Sequence, residues 1–152
     1  YDKNGKCIKI FGPDDNDALS ILSNFLNIVF VTGDRKGFSI SKKRIEKDMN
    51  FKLFLVSTFK RVEWIKERYN LSETIYMGDG IFDYLVMKKV KYSIAPKNAD
   101  LNCKKYANFI TKRDGGDRAV AEACLHILKK FFKINSIEKI SLKGKLSGEW
   151  TA

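Results

Sequence analysis

One stretch of the sequence combines an apolar run, a glycine turn and two acidic residues: Thr74-Ile75-Tyr76-Met77-Gly78-Asp79-Gly80-Ile81-Phe82-Asp83. The apolar run at 74–77 is typical of a short buried strand, and Gly78 allows a tight turn directly after it. Asp79 then lies at the carboxyl end of the strand, and Asp83 follows four residues later. The apolar residues beyond the turn have the 3.6-residue spacing of an amphipathic helix: Ile81, Phe82, Leu85, Val86 and Val90.

Two carboxylates at a strand-to-helix turn allow two interpretations. Ligands of open parallel sheets bind in the crevice outside the carboxyl ends of the strands, and Mg²⁺ prefers oxygen ligands. Asp79 and Asp83 would then form a cation site. Alternatively, Asp79 caps the helix and Asp83 lies in its first turn, where an acid stabilises the helix dipole. This stretch by itself supports both interpretations equally.

Further apolar runs predict strands at residues 28–31, 51–56, 91–95 and 107–111, with helical patterns between them. The run at 28–31 is nearly continuous and rich in β-branched residues, which indicates a strand buried on both faces. Because strands and helices alternate, the sequence predicts an α/β fold: a Rossmann-like parallel sheet with helices on both faces. Asn4-Gly5, followed by an alternating run at 7–11, predicts a small β-hairpin near the N-terminus.

The predicted helix boundaries carry several polar residues. Asp14 or Asp15 is expected to cap the first helix, which should end at Asn27. The last helix follows a Gly-Gly-Asp turn at 115–117 and contains His126, which we interpret as structural because it is a lone histidine on a helix. We expect a single folded domain over residues 1–132 and a polar C-terminal tail over 133–152 that docks on a partner subunit.

The amino-acid composition indicates which class of protein this sequence encodes. The chain of 152 residues is 44% hydrophobic, which suits one globular domain, and no apolar run approaches the roughly 20 residues needed to span a bilayer. Cys7, Cys103 and Cys124 are widely spaced and odd in number, which predicts reduced thiols in a cytoplasmic protein. The net charge of +11 comes mostly from dispersed lysines, so a nucleic-acid-binding domain is only a third interpretation.

Three predicted strand ends carry groups suited to phosphate chemistry: Thr32-Gly33, Lys60, and Asp79 with Asp83. In order and spacing they resemble the second, third and fourth motifs of the haloacid dehalogenase superfamily of phosphohydrolases, the fourth being GDxxxD. Other stretches resemble the cap-less branch that includes 3-deoxy-manno-octulosonate 8-phosphate phosphatase. They are Asn4-Gly5, the segment 11–15, Val31-Thr32-Gly33, the segment 95–99 and the segment 115–122.

This resemblance implies a Mg²⁺-dependent phosphatase. The Thr32 hydroxyl and the Gly33 amide would donate to phosphoryl oxygens, and Lys60 would supply positive charge, a type of contribution worth roughly 3 kcal/mol. Asp79 would bind Mg²⁺, and Asp83 would orient the ion or Lys60. Arg35 would replace the arginine that is usual after Thr-Gly, where this chain has Asp34.

The expected substrate is a phosphorylated sugar acid of the 3-deoxy-octulosonate 8-phosphate or nonulosonate 9-phosphate type. The same resemblance implies a homo-oligomer, by family a tetramer, because no cap domain covers the site. Besides Asp34, two further positions depart from the family pattern: Asp14 stands where a basic residue is usual, and Arg118 replaces a usual glycine.

A larger departure is the family's first motif, DxD at the end of a central strand, which holds the aspartate nucleophile. It is expected before the hairpin, and the acids at 14–17 cannot replace it because they follow Gly-Pro and open a helix. We therefore expect about 15–25 further residues upstream, enough for one strand and half a hairpin. Without them the chain would be inactive. The alternative is a non-catalytic binding or structural relative.

Overall fold

The computed structural model describes residues 14–140, and for Lys139 it describes the backbone alone. The predicted hairpin, the strand at 7–11 and the end of the predicted tail lie outside these residues. Five strands are described: β1 (Val29–Thr32), β2 (Lys52–Leu55), β3 (Ile75–Met77), β4 (Tyr92–Ala95) and β5 (Phe109–Ile110).

Helices alternate with the strands. They are α1 (Asp15–Leu22), α2 (Phe38–Lys42), α3 (Arg61–Lys66), α4 (Tyr84–Met87), α5 (Leu101–Tyr106) and α6 (Ala119–Phe132). A π-helical segment, Lys43–Asp48, continues α2, and short 3₁₀ turns lie at Thr58–Lys60, Leu71–Glu73 and Ile137–Lys139.

All described strand pairs are parallel, and they form two sheets. β1 pairs with β2, with Val31 opposite Phe54, whereas β3, β4 and β5 form the second sheet in that order. Within residues 14–140, β1 and β3 each keep one edge without a strand partner. The predicted α/β architecture is therefore confirmed, with the sheet in two parts.

Two apolar layers enclose both sheets and make them one three-layer unit. In β4, Ile94 packs in the layer with α1 and α6, whereas its neighbour Ala95 packs in the layer with α3, α4 and α5. β1 alternates in the same way, because Phe30 faces the first layer and Val31 the second. Successive residues of a strand point to opposite faces, so both sheets use both of their faces for packing.

Burial differs between strands β4 and β1. All four residues of β4 are buried, whereas all four residues of β1 are only half-buried. Both faces of β1 are covered, as predicted for the run at 28–31, because Phe30 and Val31 pack in opposite layers, but each residue stays partly exposed. The partial exposure follows because one edge of β1 has no neighbouring strand within residues 14–140.

Helix α1 differs from its prediction at both ends. It ends at Leu22, five residues before Asn27, because the amides of Asn24 and Phe25 bond in a tighter turn to Ile21 and Leu22. Neither predicted cap acts on α1. Asp14 occupies the cap position without a side-chain bond, and Asp15 Oδ1 instead accepts the amide of Ala121 at 2.8 Å, which joins α1 to α6.

No helix in the described part of the chain is long and apolar enough to cross a membrane. Cys103 and Cys124 are buried free thiols, and burial raises the pKa of each to about 12. A thiol with such a pKa is unreactive at neutral pH, so these two cysteines serve as small core residues.

His126 has a structural environment, since its Nε2 lies 2.8 Å from Tyr92 Oη and its ring stacks on Phe109 at 3.7 Å. Burial, and then the nearby Lys130 cation, lowers the pKa of His126 below its usual value. It is the single histidine of the chain, so its titration can be separated from that of other groups.

We predict that the melting temperature falls between pH 7.5 and pH 5.5, because the unfolded chain binds a proton to His126 before the folded protein does. Thermal unfolding of wild type and of His126→Gln at both pH values tests this. The decrease should be smaller in the variant; an equal decrease in both proteins would contradict it.

Candidate functional site

The carboxyl ends of the parallel strands meet at one rim, where β1 ends in Thr32. The Thr32 hydroxyl oxygen accepts the amide of Asp34 at 3.1 Å, and Asp34 Oδ1 accepts the amide of Gly37 at 2.8 Å. These two bonds shape the turn after β1. Since the Thr32 oxygen acts as an acceptor, its O–H proton remains available to a ligand at the rim.

Asp83 shapes the turn after β3. Its Oδ2 accepts the amides of Asp79 at 3.1 Å and Gly80 at 2.9 Å. Gly78 is required here, because a Cβ at this position would lie 2.6 Å from Asp83 Oδ2. Because these bonds hold residues 79–80 in a turn, the helix begins only at Tyr84. The prediction of a helix with Ile81 and Phe82 on its apolar face is therefore wrong, and both side chains are exposed.

A buried ion pair connects this turn to the start of α3. Arg61 Nη1 donates to Asp83 Oδ1 at 2.5 Å and to Tyr76 Oη at 2.7 Å, and Tyr76 Oη donates to the same Asp83 oxygen at 2.6 Å. The three residues are only 6–7% exposed. Burial, and then the adjacent Asp83 carboxylate, raises the pKa of Tyr76 far above its usual value, so Tyr76 stays a neutral donor.

Arg61 also lies beside the end of β1. Its Nη2 is 3.8 Å from the position that a Cβ on Gly33 would occupy. Its Nε is buried and has no hydrogen-bond partner among residues 14–140. A buried donor without an acceptor is unfavourable, at about 1–3 kcal/mol, so this N–H marks a place where a further acceptor would be stabilising.

The network therefore brings the Thr32-Gly33 turn and the Asp79–Asp83 turn to the same part of the rim. Lys60 and Arg35 are both exposed, and neither side chain forms a hydrogen bond or ion pair with a residue between 14 and 140. The expectation that Asp83 could orient Lys60 is wrong, because both oxygens of Asp83 are already taken by other donors, Arg61 among them.

Sequence reasoning missed Arg61 and Tyr76. A signal for Arg61 was present in the helical spacing, because Arg61 lies four residues before the buried Ile65 and therefore shares its face of α3. Lys60 precedes α3, at the end of a 3₁₀ turn, where its side chain faces solvent.

Asp79 has the properties of a cation ligand. Its side chain is exposed and makes no hydrogen bond or ion pair within the described residues. No cluster of three or more His, Cys, Asp or Glu side chains that could hold a metal ion occurs between residues 14 and 140. Mg²⁺ commonly binds through one or two carboxylates together with water and substrate phosphate, so Asp79 fits as one ligand of such a site.

Residues 57–123, which include Arg61, Tyr76, Asp79 and Asp83, match the family model of the haloacid dehalogenase-like hydrolases. Over these residues the chain is similar to that family. The comparison with curated proteins returns no match.

Several solved structures share the fold of this chain. A 3-deoxy-D-manno-octulosonate 8-phosphate phosphatase from Moraxella catarrhalis, in complex with magnesium, phosphate and KDO, is 24% identical, with a TM-score of 0.69 over 85% of this chain and 76% of that one. A cobalt-bound octulosonate phosphatase from Haemophilus influenzae is 23% identical, with a TM-score of 0.69 over 85% and 77%. A hypothetical protein from Xanthomonas campestris is 23% identical, with a TM-score of 0.75 over 91% and 77%.

The two acids of the GDxxxD motif should differ in their effect on stability. Asp83→Asn leaves the buried Arg61 cation without its counter-ion and should lower the free energy of unfolding by about 3–5 kcal/mol. Asp79→Asn changes an exposed side chain that has no partner among residues 14–140. It should change the free energy of unfolding by less than about 0.5 kcal/mol. Urea denaturation of both isosteric variants measures the difference; equal losses would contradict the assigned partners.

Proposed function

We propose that this haloacid dehalogenase-like protein is a Mg²⁺-dependent phosphatase that hydrolyses a phosphomonoester of a sugar acid. The observation that carries the proposal is the buried Arg61, which holds Asp83 and Tyr76 with one nitrogen while its Nε has no acceptor in the described part of the chain. A cation fixed beside the end of β1 suits a site that receives negative charge.

Phosphoryl transfer spreads negative charge over three oxygens, and donors that are already in place stabilise it. In the proposed site, the free O–H of Thr32 and the amide of Gly33 donate to phosphoryl oxygens. Lys60 and Arg35 are exposed cations close to these turns in the sequence, and they would attract and hold the phosphate dianion.

Asp79 would hold Mg²⁺ through its exposed carboxylate, and the ion would neutralise charge on the phosphoryl group when bound. Asp83 supports Asp79 through the backbone, because it accepts the Asp79 amide. Its carboxylate is engaged with Arg61, Tyr76, Asp79 and Gly80, so it positions the turn and leaves metal binding to Asp79.

The nucleophile of the proposed reaction is an aspartate outside residues 14–140. Within the described residues, β1 and β3 each have an edge without a strand partner, and Arg61 spans from the end of β1 to Tyr76 in β3. A strand between these edges would pair their amides and could place a carboxylate near Arg61 Nε. Attack of that carboxylate on phosphorus would form an aspartyl-phosphate and break the P–O bond to the sugar, whose oxygen would take a proton from the second aspartate of the DxD motif and leave as the alcohol. Water would then hydrolyse the aspartyl-phosphate to inorganic phosphate and the free carboxylate.

A second copy of the chain is the proposed cover for the site, within a homo-oligomer, which we take to be a tetramer. Phe59 and Phe82 are 65% and 41% exposed, their ring centroids lie 4.8 Å apart, and Ile81 beside them is 54% exposed. Apolar groups of this size next to a polar site are typical of a surface that contacts another protein.

The function is tested by phosphate release from p-nitrophenyl phosphate and from 3-deoxy-manno-octulosonate 8-phosphate, using the protein as its gene encodes it. We expect Mg²⁺-dependent release that falls at least about a hundredfold in Asp79→Asn, because the metal loses its charged ligand. Asp17→Asn, an exposed acid on α1, is the matched control and should retain activity. Binding of the sugar phosphate with no turnover would favour the non-catalytic alternative.

Arg61 and Lys60 should have different kinetic effects. Arg61→Lys keeps the charge but lacks the planar guanidinium that carries the Nε and Nη2 donors, so kcat should fall by about 10²–10³. Lys60→Ala removes an exposed cation and should mainly raise KM. Steady-state kinetics with circular dichroism of each variant distinguish the two; a larger kcat loss for Lys60→Ala would contradict the assignment.

A further inference from the structure

Arg118 and Asp14, two of the positions that depart from the family pattern, form an ion pair. Asp14 precedes α1 and Arg118 precedes α6, and both have left-handed backbone conformations, with φ of 61° and 64°. Their side chains are about half exposed, at 51% and 49%. An exposed pair of this kind contributes little to stability, so its partners can exchange at little cost.

The loop that carries Arg118 is held in place from two sides. The Glu122 carboxylate accepts the amides of Lys112 at 2.9 Å and Arg113 at 3.0 Å. Asn98 Oδ1 accepts the amide of Gly115 at 2.7 Å. Arg118 is therefore presented from an ordered loop, which reduces the entropy lost when it binds a ligand.

This loop lies on the same rim as the proposed phosphate site. The amide of Lys97, after β4, donates to the Arg113 carbonyl at 3.1 Å. The amide of Asp100, in the same loop after β4, donates to the Asp79 carbonyl at 3.0 Å. Hydrogen bonds thus connect the metal-binding candidate Asp79, through the loop after β4, to the loop that presents Arg118.

The other acids beside Arg118 have partners of their own. Asp15 accepts the amide of Ala121 at 2.8 Å, and Asp117 lies 3.6 Å from Arg113. Asp14 is thus the carboxylate that pairs with the Arg118 guanidinium. A guanidinium that already binds one carboxylate in an exposed position can bind another of the same geometry.

We propose that Arg118 recognises the carboxylate of the sugar-acid substrate, which replaces Asp14 as its partner. This proposal rests on the phosphatase function proposed above and names the residue that makes the site selective for an acid. A neutral sugar phosphate has no group that can replace Asp14, so the ion pair favours substrates that carry a second anionic group.

The test compares kcat/KM for 3-deoxy-manno-octulosonate 8-phosphate with kcat/KM for arabinose 5-phosphate, which lacks a carboxylate, in the protein as its gene encodes it. The ratio of the two values is the selectivity for an acid. Arg118→Ala should lower this ratio about tenfold, since a charge-assisted bond to substrate is lost. Asp14→Asn should raise it about threefold, because Arg118 loses its competing partner. Arg118→Lys, which keeps the charge, should recover part of the loss.

Arg113→Ala is the matched control, because it breaks the Arg113–Asp117 pair of the same loop and removes one positive charge. It should leave the ratio within about twofold of wild type. An unchanged ratio in Arg118→Ala, or an equal decrease in Arg113→Ala, would overturn the proposal. Release of phosphate from neither substrate by wild type would instead refute the phosphatase function and this inference with it.

Discussion

The site depends on the buried ion pair between Arg61 and Asp83. Transfer of both charges from water into the protein interior is unfavourable, and here it is offset by close contact and by the Tyr76 hydroxyl, which bonds to both partners. The second oxygen of Asp83 holds the amides of Asp79 and Gly80. The buried ion pair thus determines the position of the exposed Asp79 carboxylate. Asp79 itself has no side-chain partner among residues 14–140, because Asp83 makes the bonds that hold the turn.

The same arginine lies where the two sheets approach each other. β1 and β3 have unpaired edges within residues 14–140, and each buried amide without a partner would be unfavourable by about 1–3 kcal/mol. Arg61 extends across this region, from the turn after β1 to Tyr76 in β3, and its Nε has no acceptor from the residues that the structure describes. Under the proposed function, one additional strand with an aspartate at its end would satisfy the amides and the arginine together.

The sequence allowed prediction of the strands and of the rim. In an α/β pattern, apolar runs that end in Thr32-Gly33 and Gly78-Asp79 fit few structures other than strands that end at the same edge of a sheet. It was less informative where two neighbouring residues had similar chemistry. Lys60 and Arg61 are both basic, and the choice depends on which of them faces inward with Ile65. Helix ends were also mispredicted: Asp15 bonds across to Ala121, 106 residues away, and such a tertiary contact leaves no signal in local sequence.

The most direct test of this account is a crystal structure of the protein as its gene encodes it, grown with Mg²⁺ and tungstate as a phosphate analogue. We predict that tungstate lies within hydrogen-bond distance of the Thr32 hydroxyl and the Gly33 amide. Mg²⁺ should be bound by the Asp79 carboxylate, and Asp83 should remain paired with Arg61. Tungstate bound away from this rim, or Mg²⁺ bound without Asp79, would contradict the account.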